Sequence, residues 1–536
     1  MTTASLPLLR GSITLSHALR KDDNVLLELS YPEKRLSFYL DLYQRRGVIE
    51  ALVAHHLCLP EEACKIGEVK EWIHGSFNVC IPVDILGRHP ARKVIIRFPL
   101  PYKLGESVYP GDVEEKLRCE VATYIWIQQN CPTVPIPRLW GFGFAGRSFT
   151  ALENAPFLAR LGWYFRRIAS WLFGSPLSSP YVSHKHNHEA SGYMIVDCVK
   201  EGEMLSTSWE THRHDPSRRA NLFRDLARIM LSQIPLPRIA SWTIDDQGIL
   251  SLTNRPLTLM LHELENEGIP TNIARTLTYP ATEAYYLDLL ACHDSIIRHK
   301  PNAIRDRDDR EAQLSALTMM KAVLPHYACR DLRYGPFVLS LTDLHQSNIF
   351  VDKDWNITKL IDLEWACALP IEMIHPPYWL TSEGIDTLEG TALQEYARVR
   401  KEFMYIFERE EKMMMKTFSS LDTCPTPLTN AIHRGWQVGN FWYFSALNSP
   451  PGLYNLFFDK IQPCFVKACS EKKAFTDFEE VFAPYWSVGD MSKIIDAKIK
   501  ESELYAYQLR ALFAERTGEG EESAGKERNA NDQANG

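Results

Sequence analysis

The sequence predicts an α+β chain of two lobes, β-rich at the N-terminal side and larger and α-rich after it. Three observations predict this. At 536 residues the chain exceeds what one simple core fills. Short strand-like apolar runs occupy residues 68–100 and recur in "PIPRLWGFGF" and "SGYMIVDCV". From about residue 216 onward, apolar residues fall mostly at helical spacing.

Composition narrows the class. Hydrophobic residues at 45% and charged residues at 24% are ordinary globular values. A net charge of -8 gives no general attraction to nucleic acid or to anionic membrane. The 12 cysteines are scattered without a C-x-x-C pair, against a zinc site or a disulfide framework and in favour of a reducing, cytoplasmic setting. No apolar run is long enough to span a bilayer. Residues 1–30 are expected to be a flexible N-terminus. Arg10, Arg20 and the lack of acids before Asp22 also match a mitochondrial presequence. Residues 516–536 hold no apolar residue larger than Ala and are expected to be a disordered tail.

The N-lobe, 31–200, begins with a helix over 34–57, striped by Leu36, Tyr39, Leu40, Tyr43, Val48 and Leu52, with Gly47 as a break. Strands follow, punctuated by Gly75 and the 87–90 turn, and then a helix in "VEEKLRCEVATYIWIQQN", whose Leu117, Val121, Tyr124 and Ile125 share a face. Residues 147–190 read as an insertion. It holds "FLARLGWYFRRIASWLF", either a helix packed on its own lobe or a membrane-touching or lid segment. It also holds His184, His186 and His188, a solvated loop cluster rather than a metal site for want of a fourth ligand nearby. The C-lobe, 201–515, is helical, with Leu222, Leu226, Ile229 and Met230 forming one stripe.

One stretch interrupts those helices: "SLTDLHQSNIFVDKDWNITKLIDLEWA", from Ser340. Its apolar runs "NIFV" and "ITKLI" flank the polar turn "DKDWN" and predict a hairpin centred near Asp354 and Trp355. That hairpin, within 343–364, puts Asn348 roughly opposite Asp362, at the end where the Asp343 loop enters. An Asp and an Asn brought together without Cys or His describe a hard-cation site, usually Mg²⁺.

The stretch resembles the catalytic core of the aminoglycoside phosphotransferase family, of fungal type, with a protein-kinase-like fold. "TDLHQSNIFVD" is similar to that family's H-G-D-x-x-x-x-N loop and "LIDLEWA" to its I-D-x-[DE] segment. The resemblance implies that Asp343 orients or deprotonates an acceptor hydroxyl, and that Asn348 and Asp362 hold Mg²⁺ on the phosphates of ATP. Glu364 is left near the metal or the acceptor. Upstream, Gly75, Ser76, Phe77 and Asn78 stand at the expected phosphate-facing turn, Arg97 at the strand cation and Glu120 at its helix partner. The segment Asp197 to Val199 fits the adenine hinge. Leu341 and Thr342 depart from the family's His and Gly, and Arg97 replaces a Lys, which changes a point charge into a planar fork. The function implied is phosphoryl transfer to a hydroxyl of a small molecule, the alternative being a pseudokinase-like nucleotide-binding or scaffolding module. Glu364, Trp365, His375, Tyr378 and Trp379 are candidate acceptor walls. Nothing in the sequence sets the acceptor or the oligomeric state.

Overall fold

The computed structural model describes residues 5–87, 92–185, 192–232, 234–417, 427–465, 485 and 491–534. Asn78–Ile85 and Arg92–Pro99 pair antiparallel along their whole length. They sit in an eight-stranded sheet in which Tyr193–Asp197, Leu139–Phe144, Arg147–Ala151 and Tyr181–Lys185 follow Arg92–Pro99 in that order. Cys64–Ile66 and Ile73–His74 both pair with the outer side of Asn78–Ile85.

Alternation decides what each face of the sheet meets. Val79, Ile81, Val83, Val94, Ile96 and Phe98 are buried in one cluster with Ile49, Leu52, Val53 and Leu57 of the helix Arg46–Leu57. Phe142, Phe144, Met194 and Val196 pack with Leu117, Val121, Tyr124 and Ile125 of the helix Asp112–Asn130. Arg97, between Ile96 and Phe98, therefore turns toward the Asp112–Asn130 helix.

The second part of the chain is mainly helical. Pro216–Leu231 lies along Gly390–Thr417. Thr282–His299, Arg307–Tyr327 and Asn440–Asn448 surround a separate apolar cluster. Between them run the strand pair Phe337–Leu341 and Ala366–Pro370 and the hairpin Ile349–Val351 with Ile357–Leu360. The hairpin turn is polar, with Asp352 Oδ1 accepting from the Asp354 and Asn356 amides at 2.9 Å each. Trp355 pins that turn from inside. It takes a left-handed backbone (φ +62°) and stacks on Trp209 at 5.4 Å. Its Nε1–H donates to Ser208 Oγ at 3.1 Å.

Four boundaries differ from expectation. The helix expected over 34–57 begins earlier and is two helices, Val25–Gln44 and Arg46–Leu57, broken at Arg45 rather than Gly47. Within the segment 1–30, residues 5–30 are ordered structure. Leu6, Ile13, Ala18, Val25 and Leu29 are buried against Tyr505, Leu509 and Phe513, giving a short apolar segment a partner from the other end of the chain. The segment 147–190 is not wholly an insertion, because Arg147–Ala151 and Tyr181–Lys185 are strands of the main sheet. The backbone beyond 516 continues the helix Met491–Ala534 instead of a coil, as its Glu, Ala, Lys and Arg content permits. No helix among the described residues is long and apolar enough to cross a membrane. The ten described cysteines are all free.

Candidate active site

The strand Phe337–Leu341 delivers Asp343 to the end of the hairpin. The Thr342 hydroxyl donates to the Trp365 carbonyl at 2.5 Å, and Leu341 packs on the main core. Together they hold the loop entrance where the resemblance calls for Gly and His. The Trp379 indole N–H donates to the Leu344 carbonyl at 2.7 Å and closes the loop from the other side. Asn348 Nδ2 donates to the Asp343 carbonyl at 2.9 Å, while the Asn348 carbonyl accepts from the Ile361 amide at 3.0 Å. Asn348 is thus opposite Ile361, one residue from the expected Asp362, and Asp343, Asn348 and Asp362 lie at one end of the hairpin.

Asp343 is largely buried, and the His345 imidazole lies beside it, with Nε2 3.7 Å from Oδ1. Burial, with Glu364, Asp362 and Glu263 nearby, pushes its carboxyl up to about 7. A carboxyl poised there can hold or accept a proton near neutral pH.

Behind Asp343 lies a closed ion cluster. Arg97 NH1 donates to Glu120 Oε1 at 2.7 Å, and its NH2 pairs with Asp362 Oδ1. Lys116, one helical turn before Glu120, has no exposed surface. Its Nζ lies 3.2 Å from Glu120 Oε2, 2.5 Å from Glu364 Oε2 and 2.8 Å from Asn78 Oδ1. Asn78 Nδ2 completes the ring by donating to Glu364 Oε2 at 2.5 Å. Burial opposes ionisation of Glu120, but Arg97 and Lys116 overcome it and hold that carboxyl below the usual range. Burial pushes Glu364 up, Lys116 opposes it, and Glu120 and Asp362 add to it. Asp362 itself keeps a side chain about one-third exposed (35%). It also takes a left-handed backbone (φ +55°), a conformation that non-glycine residues adopt at a cost and that clusters at functional sites.

Several of the expected residues have further partners in the structure. Ser76 is exposed at the tip of the turn, and the Gly75 amide donates to the Asn78 carbonyl at 2.9 Å. The side chains of Phe77 and Asn78 turn inward, while the expectation for this turn concerns its backbone amides. Phe77 meets the Trp365 ring edge-on at 5.1 Å, and Asn78 bridges Lys116 and Glu364. The Asp197 amide donates to the Arg138 carbonyl at 3.0 Å. The Asp197 carboxylate accepts from Arg92 and from the Trp140 indole at 3.1 and 2.8 Å. Asp197 thus has no free amide to offer an adenine, whereas Val199 lies half-buried in the following loop. Of the expected acceptor walls, Trp365 and Trp379 are buried supports, and His375 packs on Phe441. Tyr378 lies near Asp343, its hydroxyl pushed up by burial and by that carboxylate. His184 is half-buried against the His55 ring at 5.4 Å, and His186 and His188 lie outside the described residues. Lys116 is the residue that sequence reasoning missed. Its one signal is the four-residue spacing to Glu120, which reads equally as a solvated helix pair.

No group of three or more His, Cys, Asp or Glu side chains among the described residues is arranged to hold a metal. The donors at the hairpin end still suit a hard cation. Asn348 spends its nitrogen on the Asp343 carbonyl, its Oδ1 takes no hydrogen bond from the described residues, and Asp362 offers a partly exposed carboxylate at the same hairpin end.

A cavity of about 530 Å³ opens beside the site, with Phe77 and Glu263 in its wall. Glu263 is close enough to act on Asp343. Asp22, Asp23, Glu28, Glu263, Glu267 and Asp309 line it against Lys103, Lys300 and Arg305, so acids outnumber bases. Burial and then Glu267 push the Glu263 carboxyl up to about 7.

No family model and no curated protein matches the chain. Solved structures match it over most of its length at low identity. An ethanolamine kinase of Plasmodium vivax is 12% identical, with 82% of each chain covered and a TM-score of 0.33. A choline kinase from Cryptosporidium parvum Iowa II is 12% identical, with 86% of this chain and 99% of that one covered and a TM-score of 0.31. A macrolide 2'-phosphotransferase type I is 8% identical, with 78% and 89% covered and a TM-score of 0.28. At such TM-scores these likenesses carry no weight for the activity of this chain.

Proposed function

We propose that the protein is an ATP- and Mg²⁺-dependent phosphotransferase acting on a hydroxyl of a small molecule held in the acidic cavity. The observation that carries this reading is the junction of Asp343, Asn348 and Asp362 at one hairpin end, joined by the Asn348 bonds to Asp343 and Ile361. Asn348 Oδ1 and the Asp362 carboxylate would hold Mg²⁺, which when bound neutralises charge on the transferring phosphoryl group. Asp343, its carboxyl near 7, aligns the acceptor hydroxyl and takes its proton. Glu120 and Lys116 hold Arg97 and Glu364 in place behind them, so the chain's share of the work is positioning and charge balance. The acids of the cavity wall suit an acceptor with a positive charge.

The test is turnover of a hydroxyl-bearing amine panel by the natural chain and by Asp343→Asn. The variant should lose phosphorylation while keeping its thermal shift with ATP; unimpaired phosphorylation by it would sink the assignment. One observation favours a second reading, a nucleotide-binding module without efficient transfer. Arg97 already engages the carboxylate that a metal ion needs. An ATP-induced thermal shift with no turnover on any acceptor would favour that reading.

A further inference from the structure

The helix Phe157–Leu172 is turned the wrong way for a helix of a folded lobe. Phe157, Leu158, Phe165, Ile168, Trp171 and Leu172 are each 54% to 79% exposed. At about 100° per residue they fill an arc of roughly 140° on one side of the helix. The opposite side holds it to the sheet. Trp163 is buried with Ala155 and Val182 and donates its Nε1–H to the Ser179 carbonyl at 2.8 Å. Arg167 NH1 donates to the Ser178 carbonyl, also at 2.8 Å. The helix is therefore already packed, and its apolar arc is surplus to that packing. Next to it, Phe173 is 84% exposed.

Charge points to the occupant. The chain carries -8 overall, yet no Asp or Glu occurs between Glu153 and Glu189. The same stretch contains Arg160, Arg166 and Arg167. A helix of 16 residues is too short to cross a bilayer. An arc of aromatic and aliphatic side chains flanked by arginine, with no acid, suits one that lies in the plane of an anionic surface.

We propose that Phe157–Leu172 docks on an anionic lipid bilayer, its apolar arc entering the acyl boundary and Arg160, at the edge of that arc, meeting the headgroups. The helix packs against the strand Tyr181–Lys185 and contributes no residue to the Asp343 site, so its docking is independent of turnover.

The test is co-sedimentation of the full chain with phosphatidylcholine vesicles, with and without phosphatidylserine. The natural chain should pellet with the serine-lipid vesicles and lose about tenfold in partitioning on neutral vesicles or at high salt. Two variants should each lose about as much: Phe165→Glu combined with Trp171→Glu, and Arg160→Glu alone. Phe165 and Trp171 are exposed and Arg160 is partly exposed, so unchanged melting temperatures confirm that the variants fold. Equal partitioning on neutral and anionic vesicles overturns the proposal, as does equal partitioning by the variants. Failure to pellet together with a sedimenting dimer that the variants dissociate also overturns it, assigning the arc to a second copy of the chain.

Discussion

Lys116 Nζ stands 2.5 Å from Glu364 Oε2, and both side chains are shut away from solvent. The lysine comes from the helix that packs on the sheet and the glutamate from the segment after the hairpin, so this contact joins the two parts of the chain at the site. Removing one partner of a buried pair leaves an uncompensated charge, which costs more than the pair itself contributes. Lys116→Met should lower stability by about 3–5 kcal/mol, read by denaturant unfolding. Adding Glu364→Gln to it should restore part of the loss, because the stranded carboxylate is then gone. An additive double variant would mean the two side chains are not coupled.

Arg97 and any metal share one carboxylate, Asp362. Asp362→Asn should therefore abolish the part of the ATP thermal shift that depends on Mg²⁺ and leave the metal-free shift in place. A Mg²⁺-dependent shift of unchanged size in that variant would remove Asp362 from the metal site.

Asp343 sets a pH dependence in two readouts. With its carboxyl near 7, kcat/KM should rise through that pH as the base form appears. Stability moves the other way. In the unfolded chain the group titrates at its ordinary value of 3.8, so between 3.8 and about 7 the folded state binds the extra proton and stability falls as pH rises. Asp343→Asn mimics the protonated form. Its melting temperature should match the natural chain near pH 4, exceed it increasingly up to about 7 and stay above it by a constant margin beyond. A constant difference across that whole range would place the raised titration elsewhere.

The N-terminal segment should be structural and part of the cavity. The Tyr505 hydroxyl accepts from the Val25 amide at 2.8 Å. Tyr505→Phe should cost about 1–2 kcal/mol by leaving that amide unpaired, measured by thermal unfolding. Removing residues 1–23 deletes Asp22 and Asp23 from the cavity wall. It should raise KM for a cationic acceptor several-fold more than it raises KM for ATP.

Much of this was legible in the sequence. Alternation in Asn78–Ile85 and Arg92–Pro99, and the turn chemistry of "DKDWN", fold as those patterns dictate. The spacing from Asn348 to Asp362 also closes on itself to within one residue. What could not be read depends on distant partners. Leu6 and Ile13 look like a loose end until Leu509 and Phe513 cover them. The acidic cavity is assembled from segments near residues 22–31, 263–267, 296–313 and 450–455, whose acids read singly as solvated surface. The bridge that the Asn78 side chain makes to Lys116 and Glu364 was not legible, because the reading of that turn rests on its backbone. Lys116 was invisible beneath it.

The most direct measurement is ATP consumption with Mg²⁺ across a panel of hydroxyl-bearing amines, with Asp343→Asn run alongside. The account predicts phosphate transfer to a cationic alcohol that disappears in the variant, while the ATP-induced thermal shift survives in both. Phosphorylation of the same acceptor at equal rates by both proteins would contradict it.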